Sequence, residues 1–321
     1  MFLRLLCLAV VLLASVEGIS RVLVIGGTGR VGRNIVPKLL KKGFDVKVLV
    51  RNKESAFSFK ELKGATLIEG DVTSLDCLLT ATEGCETVIA VHGVKPPRYS
   101  KITDLFIHPK RLGNNHPYNV NYQGVQRILA AMEINKCKKI IRITGSLIDK
   151  SAFTPVRVLF NLLLSFTTKW HEASEIAIRK SGLDYTVLRP TGIQDLPSAA
   201  MSPSRSLILI PGDSPVKPPL PGRIPVEDLG ELVVKSINTL SKTTVVCSSV
   251  EQRSNSEKSV SSGPKQWDDL IGTMPKDVRT IKIRSHKLAA SIYLTSLGVL
   301  CTLFVKMVLF LGHKAVKLVM K

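Results

Sequence analysis

Short aliphatic and β-branched runs alternate with amphipathic stretches along the first 250 positions of this chain. The first run is Arg21–Ile25 (RVLVI). It is followed by residues 44–50 (FDVKVLV), 66–70 (TLIEG), 87–91 (TVIAV), 139–144 (KIIRIT) and 185–188 (YTVL). Their length and composition predict six strands. Helical periodicity fills the gaps, most clearly over residues 121–134 and 172–180. Strands alternating with helices at this spacing predict a mostly parallel sheet covered on both faces.

The loop after the first strand carries the candidate chemistry. Gly26-Gly27-Thr28-Gly29-Arg30-Val31-Gly32 places glycines three apart between a strand and an amphipathic helix. Glycine lets the backbone leave the strand tightly and approach a pyrophosphate, and the helix N-terminus offers it free N–H groups. The expectation is therefore an α/β, Rossmann-like doubly wound parallel sheet with a small C-terminal lobe on the substrate side. Ligands in such sheets bind beyond the carboxyl ends of the strands. The residues expected there are Gly26, Thr28, Gly29, Arg30, Val31, Gly32, Arg51, Asp71, Val72, Ala90, Val91 and Thr144. Arg51 ends the second strand where an NAD site commonly carries a carboxylate, and Arg30 sits inside the glycine loop. Two guanidiniums and no acid argue for NADP over NAD.

Further motifs follow in order: VLVRN, EGDVTS with Asp71, NVNYQGVQRILAA, KKIIRITGS, KWHEASEIAIRKSGLDYTVLRPTGIQD and IPVEDLGELVVKSI. Together with GGTGRVG they resemble the atypical short-chain dehydrogenases/reductases, in the NAD(P)H-binding group of plants, algae and bacteria. The resemblance covers roughly residues 20–250. It implies a nicotinamide cofactor and puts Asp71 near the adenine. It does not specify a substrate.

The catalytic signature of that family is missing. No tyrosine here is followed by lysine at the fourth position. Counted from Glu175, the resemblance would put the lysine at position 171 and the tyrosine at 167, where this chain has His171 and Thr167. Related plant-type proteins resemble Trp-Lys where this chain reads Trp170-His171. Ser146 matches the family's active-site serine and is expected to bind a carbonyl oxygen. His171 is a candidate proton donor, since a free imidazole titrates near 6.5, or a hydrogen-bond partner of the ribose. His92 is the third candidate, beside the nicotinamide. Three outcomes stay open: acid-assisted reduction of a small molecule, reduction with water as proton source, and a scaffold or redox sensor that binds NADP and reduces nothing.

The ends read differently from the middle. Residues 1–18 combine Arg4, an apolar run and small residues, the pattern of a signal peptide or an N-terminal anchor. Residues 288–305 carry no charge, and as a helix they would reach about 27 Å, so 288–311 is expected to be a transmembrane helix in contact with lipid. Between domain and helix, residues 251–287 read as a polar, basic linker with a short helix near Trp267, and 312–321 as a basic tail. The expected location is a membrane of the secretory pathway or endoplasmic reticulum, with a plastid membrane as the alternative. The net charge of +20 suits anionic headgroups. No nucleic-acid motif accompanies it, so no nucleic-acid partner is expected. Six scattered cysteines form no disulfide framework, and no metal site is expected. Two proline-rich stretches, 93–118 and 196–224, are expected to flank the substrate pocket. The oligomeric state is not legible.

Overall fold

The computed structural model describes residues 20–94, 113–149, 151–195, 205–212, 222–251, 264–277, 288–289, 291–296 and 298. The six expected strands are all present. β1 is Arg21–Ile25, β2 Asp45–Val50, β3 Thr66–Glu69, β4 Thr87–Ala90, β5 Lys139–Ile143 and β6 Asp184–Pro190. They hydrogen-bond in the order β3-β2-β1-β4-β5-β6, and every pairing among them is parallel. Beyond β6 the sheet continues through β10 (Thr243–Glu251), β9 (Arg223–Pro225) and β7 (Gly192–Gln194). β8 (Arg205–Pro211) pairs antiparallel with β10.

Strand order reverses between β1 and β4. Chain connections leave there in opposite directions and open a crevice at the carboxyl ends. β1 is wholly apolar inside, with Val22, Leu23 and Val24 fully buried, as a strand covered on both faces requires. One face is closed by α1 (Arg30–Lys41), whose Ile35, Val36 and Leu39 join Val22, Val24 and Val48. Two short helices follow, α2 (Lys53–Phe57) after β2 and α3 (Leu75–Thr82) after β3. A π-helical stretch, Tyr118–Gln123, runs into α4 (Gly124–Ile134) on the other face. There Val125, Ile128 and Met132 pack with Leu23, Val88 and Ile140.

After β5 come α5 (Pro155–Leu163) and α6 (Thr167–Lys180), joined by Ser165 and Phe166, both at positive φ. α7 (Val226–Thr239) returns against α1. The stretch read as a linker contributes α8 (Pro264–Gly272), whose Trp267 and Ile271 are buried in the main core. Asp277, just beyond it, accepts bonds from Tyr185 and Thr244 and pairs with Arg179 at 3.1 Å.

The expected transmembrane helix is corrected. Among the described residues no helix is long and apolar enough to cross a membrane. The described helical residues from 288 onward lay one face on the domain instead. Ala289 is fully buried with Ala152 and Val158, and Leu294 packs against the cluster of Phe166 and Trp170. The Tyr293 hydroxyl donates to the Phe153 carbonyl at 2.7 Å. Absence of charge was legible in the run; a protein surface waiting to receive its first turns was not. Residues 299–321 lie outside the described residues. So do 1–19, where a signal peptide or anchor was expected, 95–112 of the first proline-rich stretch, and much of the second.

Candidate functional site

The glycine loop is shaped by contacts that leave no space for a Cβ. Gly26 sits at φ +92°, and a Cβ there would lie 2.7 Å from the backbone nitrogen of His92. The turn off β1 thus presses directly on the end of β4. A Cβ on Gly32 would stand 2.2 Å from the Gly26 carbonyl oxygen, so α1 sits hard on the loop. Gly29 differs. Its φ of −76° suits any residue, and a Cβ would meet only the Gly26 oxygen, at 3.2 Å. A Cβ there would have to displace that carbonyl by a few tenths of an ångström, a milder clash than at Gly26 or Gly32. α1 begins at this point with no side-chain cap and no acid in its first turn. The N–H groups around Arg30, Val31 and Gly32 therefore face an open cradle suited to an anion. Thr28 is exposed on its rim.

The other expected cofactor residues ring this cradle. Val91 donates its N–H to the Ile25 carbonyl at 2.9 Å, which pins the end of β4 to the end of β1. Ala90 is fully buried, and its carbonyl accepts from Arg142. Asp71 uses Oδ1 to accept from both the backbone and the hydroxyl of Thr73, closing the turn after β3. Val72 is buried against Gly124 at the head of α4. Arg51 is exposed at the end of β2. Arg30 is engaged elsewhere: its guanidinium donates to the Ile193 carbonyl at 2.9 Å and lies 3.8 Å from Asp195. It ties the loop to the far lobe, so Arg51 is the more open guanidinium of the two.

Two of the three catalytic candidates are linked through one residue. His92 and His171 are brought together by Arg142, a fully buried residue in the middle of β5. Its guanidinium donates to the carbonyls of Ala90 and His92 and reaches His92 Nδ1 at 3.4 Å and His171 Nδ1 at 3.5 Å. An arginine can only donate, so both Nδ1 atoms accept and both protons sit on Nε2. His92 Nε2 then faces the Val120 carbonyl at 3.3 Å, as that tautomer requires. His171 Nε2 faces the Asn121 amide at 3.4 Å, while Asn121 Oδ1 is buried without a partner. Rotating that amide by half a turn presents Oδ1 to the Nε2–H and satisfies both groups. Ser146 is partly buried at the start of a 3-10 turn after β5.

Electrostatics follow from this arrangement. Burial and the Arg142 cation push His171 down to about 3. Burial, Arg142 and His171 hold His92 well below its usual value, although its bond to the Val120 carbonyl opposes them. Burial lowers Arg142 to about 10, with Glu175 opposing. Near neutrality the guanidinium is charged and both imidazoles are neutral. An imidazolium acid at His171, expected from the free value of 6.5, has no place here. Both N–H groups are already engaged, by the Val120 carbonyl and by Asn121, so the buried Arg142 cation is what favours negative charge developing on a nearby oxygen.

Sequence reasoning missed Arg142 and Asn121 and used Glu175 only as a ruler. Glu175 is wholly buried and accepts from the Thr144 hydroxyl at 2.5 Å and from the Arg189 guanidinium through both oxygens. This commits the Thr144 hydroxyl to α6. An arginine inside an otherwise apolar strand, KIIRI, was the visible signal, because a charge buried on both sides of a sheet needs a reason.

The family model described as NAD(P)H-binding matches residues 26–239, well over half of the chain. The chain belongs to that family. It is 28% identical over 201 residues to an uncharacterised chloroplast protein of Arabidopsis thaliana, covering 61% of this chain and 65% of that one. It is 32% identical over 182 residues to the photosystem II assembly factor Ycf39 of Cyanidium caldarium, covering 56% and 50%. With the chloroplast protein TIC 62 of Arabidopsis thaliana the identity is 28%, covering 60% and 30%. The chain thus spans less than two thirds of the length of each of these relatives. Among solved structures, a short-chain dehydrogenase/reductase of Veillonella parvula in complex with NADP superposes with a TM-score of 0.53 at 14% identity, covering 71% of this chain and 94% of that one. The oxidoreductase ylbE of Lactococcus lactis gives 0.53 at 15%, covering 72% and 92%. These two show a shared fold.

Proposed function

We propose that this member of the NAD(P)H-binding family is an NADPH-dependent reductase of a small molecule. The observation that carries the reading is the glycine loop, which turns tightly off β1 onto an α1 N-terminus that has no side-chain cap and no acid in its first turn. The loop and the first turn of α1 would hold the pyrophosphate, Arg51 a 2′-phosphate, and the ends of β4 and β5 the nicotinamide. When bound, the cofactor supplies hydride. His92 and His171 would line that place as neutral rings, with Arg142 fixing their orientation and keeping them unprotonated. With neither histidine an imidazolium near neutrality, a proton would come from water. Ser146, after β5, would meet a substrate carbonyl. The chloroplast relatives favour a plastid location.

A second reading is an NADP-binding scaffold or redox sensor. It is favoured by Thr167 and His171 at the positions of the family's tyrosine and lysine, and by a relative named as an assembly factor. One experiment separates the two. NADPH consumption is followed with quinones, aldehydes and flavins, for the unmodified protein and Gly29→Asp. Turnover that disappears in Gly29→Asp supports the reductase. Tight NADPH binding with no acceptor reduced overturns it in favour of the scaffold.

A further inference from the structure

α5 is inside out. Its apolar residues Val156, Leu159, Phe160 and Leu163 recur at the spacing of one helical stripe, and that stripe faces outward, 39%, 53%, 42% and 52% exposed. Its polar residues Arg157 and Asn161 point inward and are 0% and 1% exposed. The orientation is locked. Arg157 pairs with buried Glu172 at 2.9 Å and donates to the Ile148 carbonyl, while Asn161 accepts from Thr168 at 2.6 Å. Turning the stripe inward would expel that ion pair and bonded amide, so the outward face is built into the fold. Phe153, 43% exposed, extends the stripe at one end. The helical residues after 287 dock beside it through Ala289 and Tyr293 and add Leu288 and Ile292, 55% and 47% exposed. An apolar surface assembled from two segments far apart in sequence is an interaction site.

Charge identifies the occupant. No aspartate or glutamate lies between Asp149 and Glu172, the segment that contains α5. None follows Asp277, whereas Arg279, Lys282, Arg284 and Lys287 lead into the second segment. Both contributors to the patch therefore come from acid-free segments, in a chain of net charge +20. The sequence after residue 298 continues apolar and basic. An apolar face from acid-free segments, the second preceded in sequence by four lysines and arginines, fits an anionic lipid surface, with apolar side chains entering the acyl boundary and cations meeting headgroups. We propose that α5 and the helical residues 288–296 together form a face that lies in the interface of an anionic membrane, without crossing it. This does not rest on the reductase reading.

The test uses the full chain and flotation with vesicles of phosphatidylcholine, alone or mixed with phosphatidylglycerol. Leu159→Glu/Leu163→Glu changes two exposed side chains, and its circular dichroism melt should match the unmodified protein. The expected result is flotation with the mixed vesicles that weakens with salt and falls about tenfold or more in the double variant. Leu159→Trp supplies a second readout, since Trp170 and Trp267 are buried. The fluorescence of the introduced indole should be quenched by brominated lipid. Absence of flotation overturns the proposal. Equal flotation of the double variant also overturns it, and assigns binding to other residues. A dimer that Leu159→Glu/Leu163→Glu dissociates assigns the face to a second copy instead. Fluorescence of Leu159→Trp that brominated lipid leaves unquenched assigns the face to cover by the chain after residue 298.

Discussion

Lowering the pH should attack this protein through His171. Arg142 of β5 approaches its Nδ1, His92 lies on the other side of the same guanidinium, and Asn121 meets its Nε2. Glu175, one turn along α6, is held by Thr144 and Arg189, and the adjacent Glu172 by Arg157. With a folded value of about 3 and an unfolded value near 6.5, the unfolded chain binds a proton that the folded chain refuses. Stability from this residue is therefore complete above about pH 6.5 and is lost as the pH falls toward 3. Between pH 7.5 and 5.0 the loss is about 1.5 units at 1.36 kcal/mol each, or about 2 kcal/mol. Glutamine at 171 cannot titrate and still offers an acceptor and a donor. Urea unfolding of the unmodified protein and His171→Gln at both pH values measures the difference. The unmodified protein should lose about 2 kcal/mol more than the variant, with the contribution of His92 common to both. Equal losses would refute the buried, cation-facing environment of His171.

The loop glycines should separate folding from binding. Gly32→Ala drives a Cβ into the Gly26 backbone and should cost about 1–3 kcal/mol in a denaturant melt. Gly29→Ala crowds the Gly26 carbonyl less severely and should cost about 1 kcal/mol or less, yet weaken NADPH binding at least about tenfold, seen by titration. Should Gly29→Ala bind normally, the cradle is not where the pyrophosphate sits. Arg51→Asp should remove a preference for NADPH over NADH worth about 1.5–3 kcal/mol. Indistinguishable dissociation constants for the two cofactors in the unmodified protein would defeat that assignment.

Much of the sheet was legible because each strand is a short β-branched run bounded by turn residues, and the glycine spacing located the switch point. Six strand positions and the helical stretches around 121–134 and 172–180 follow directly from that patterning. Long-range partners were not legible. Arg142 reaches β4 and α6 through the core, and no local spacing relates position 142 to 92 or 171. Arg30 was read as free for a phosphate, yet it bonds to Ile193 across the crevice, a contact set by where β7 returns. The C-terminal run failed for a related reason. Lack of charge marks burial or lipid equally well, and only the surface around Ala152 and Val158 decides that its first turns dock on protein.

The placement of the nicotinamide is the claim on which the functional account turns, and imidazole resonances report it without any knowledge of the substrate. The chain has six histidines, and His92 and His171 can be assigned by substitution in protein labelled with nitrogen-15 histidine. Titration with NADPH should shift both signals and leave His116 unmoved. The same titration with 2′-phospho-ADP-ribose, which lacks the nicotinamide, should bind and leave all three unmoved. NADPH that fails to bind, or binds without moving His92 and His171, would contradict the account.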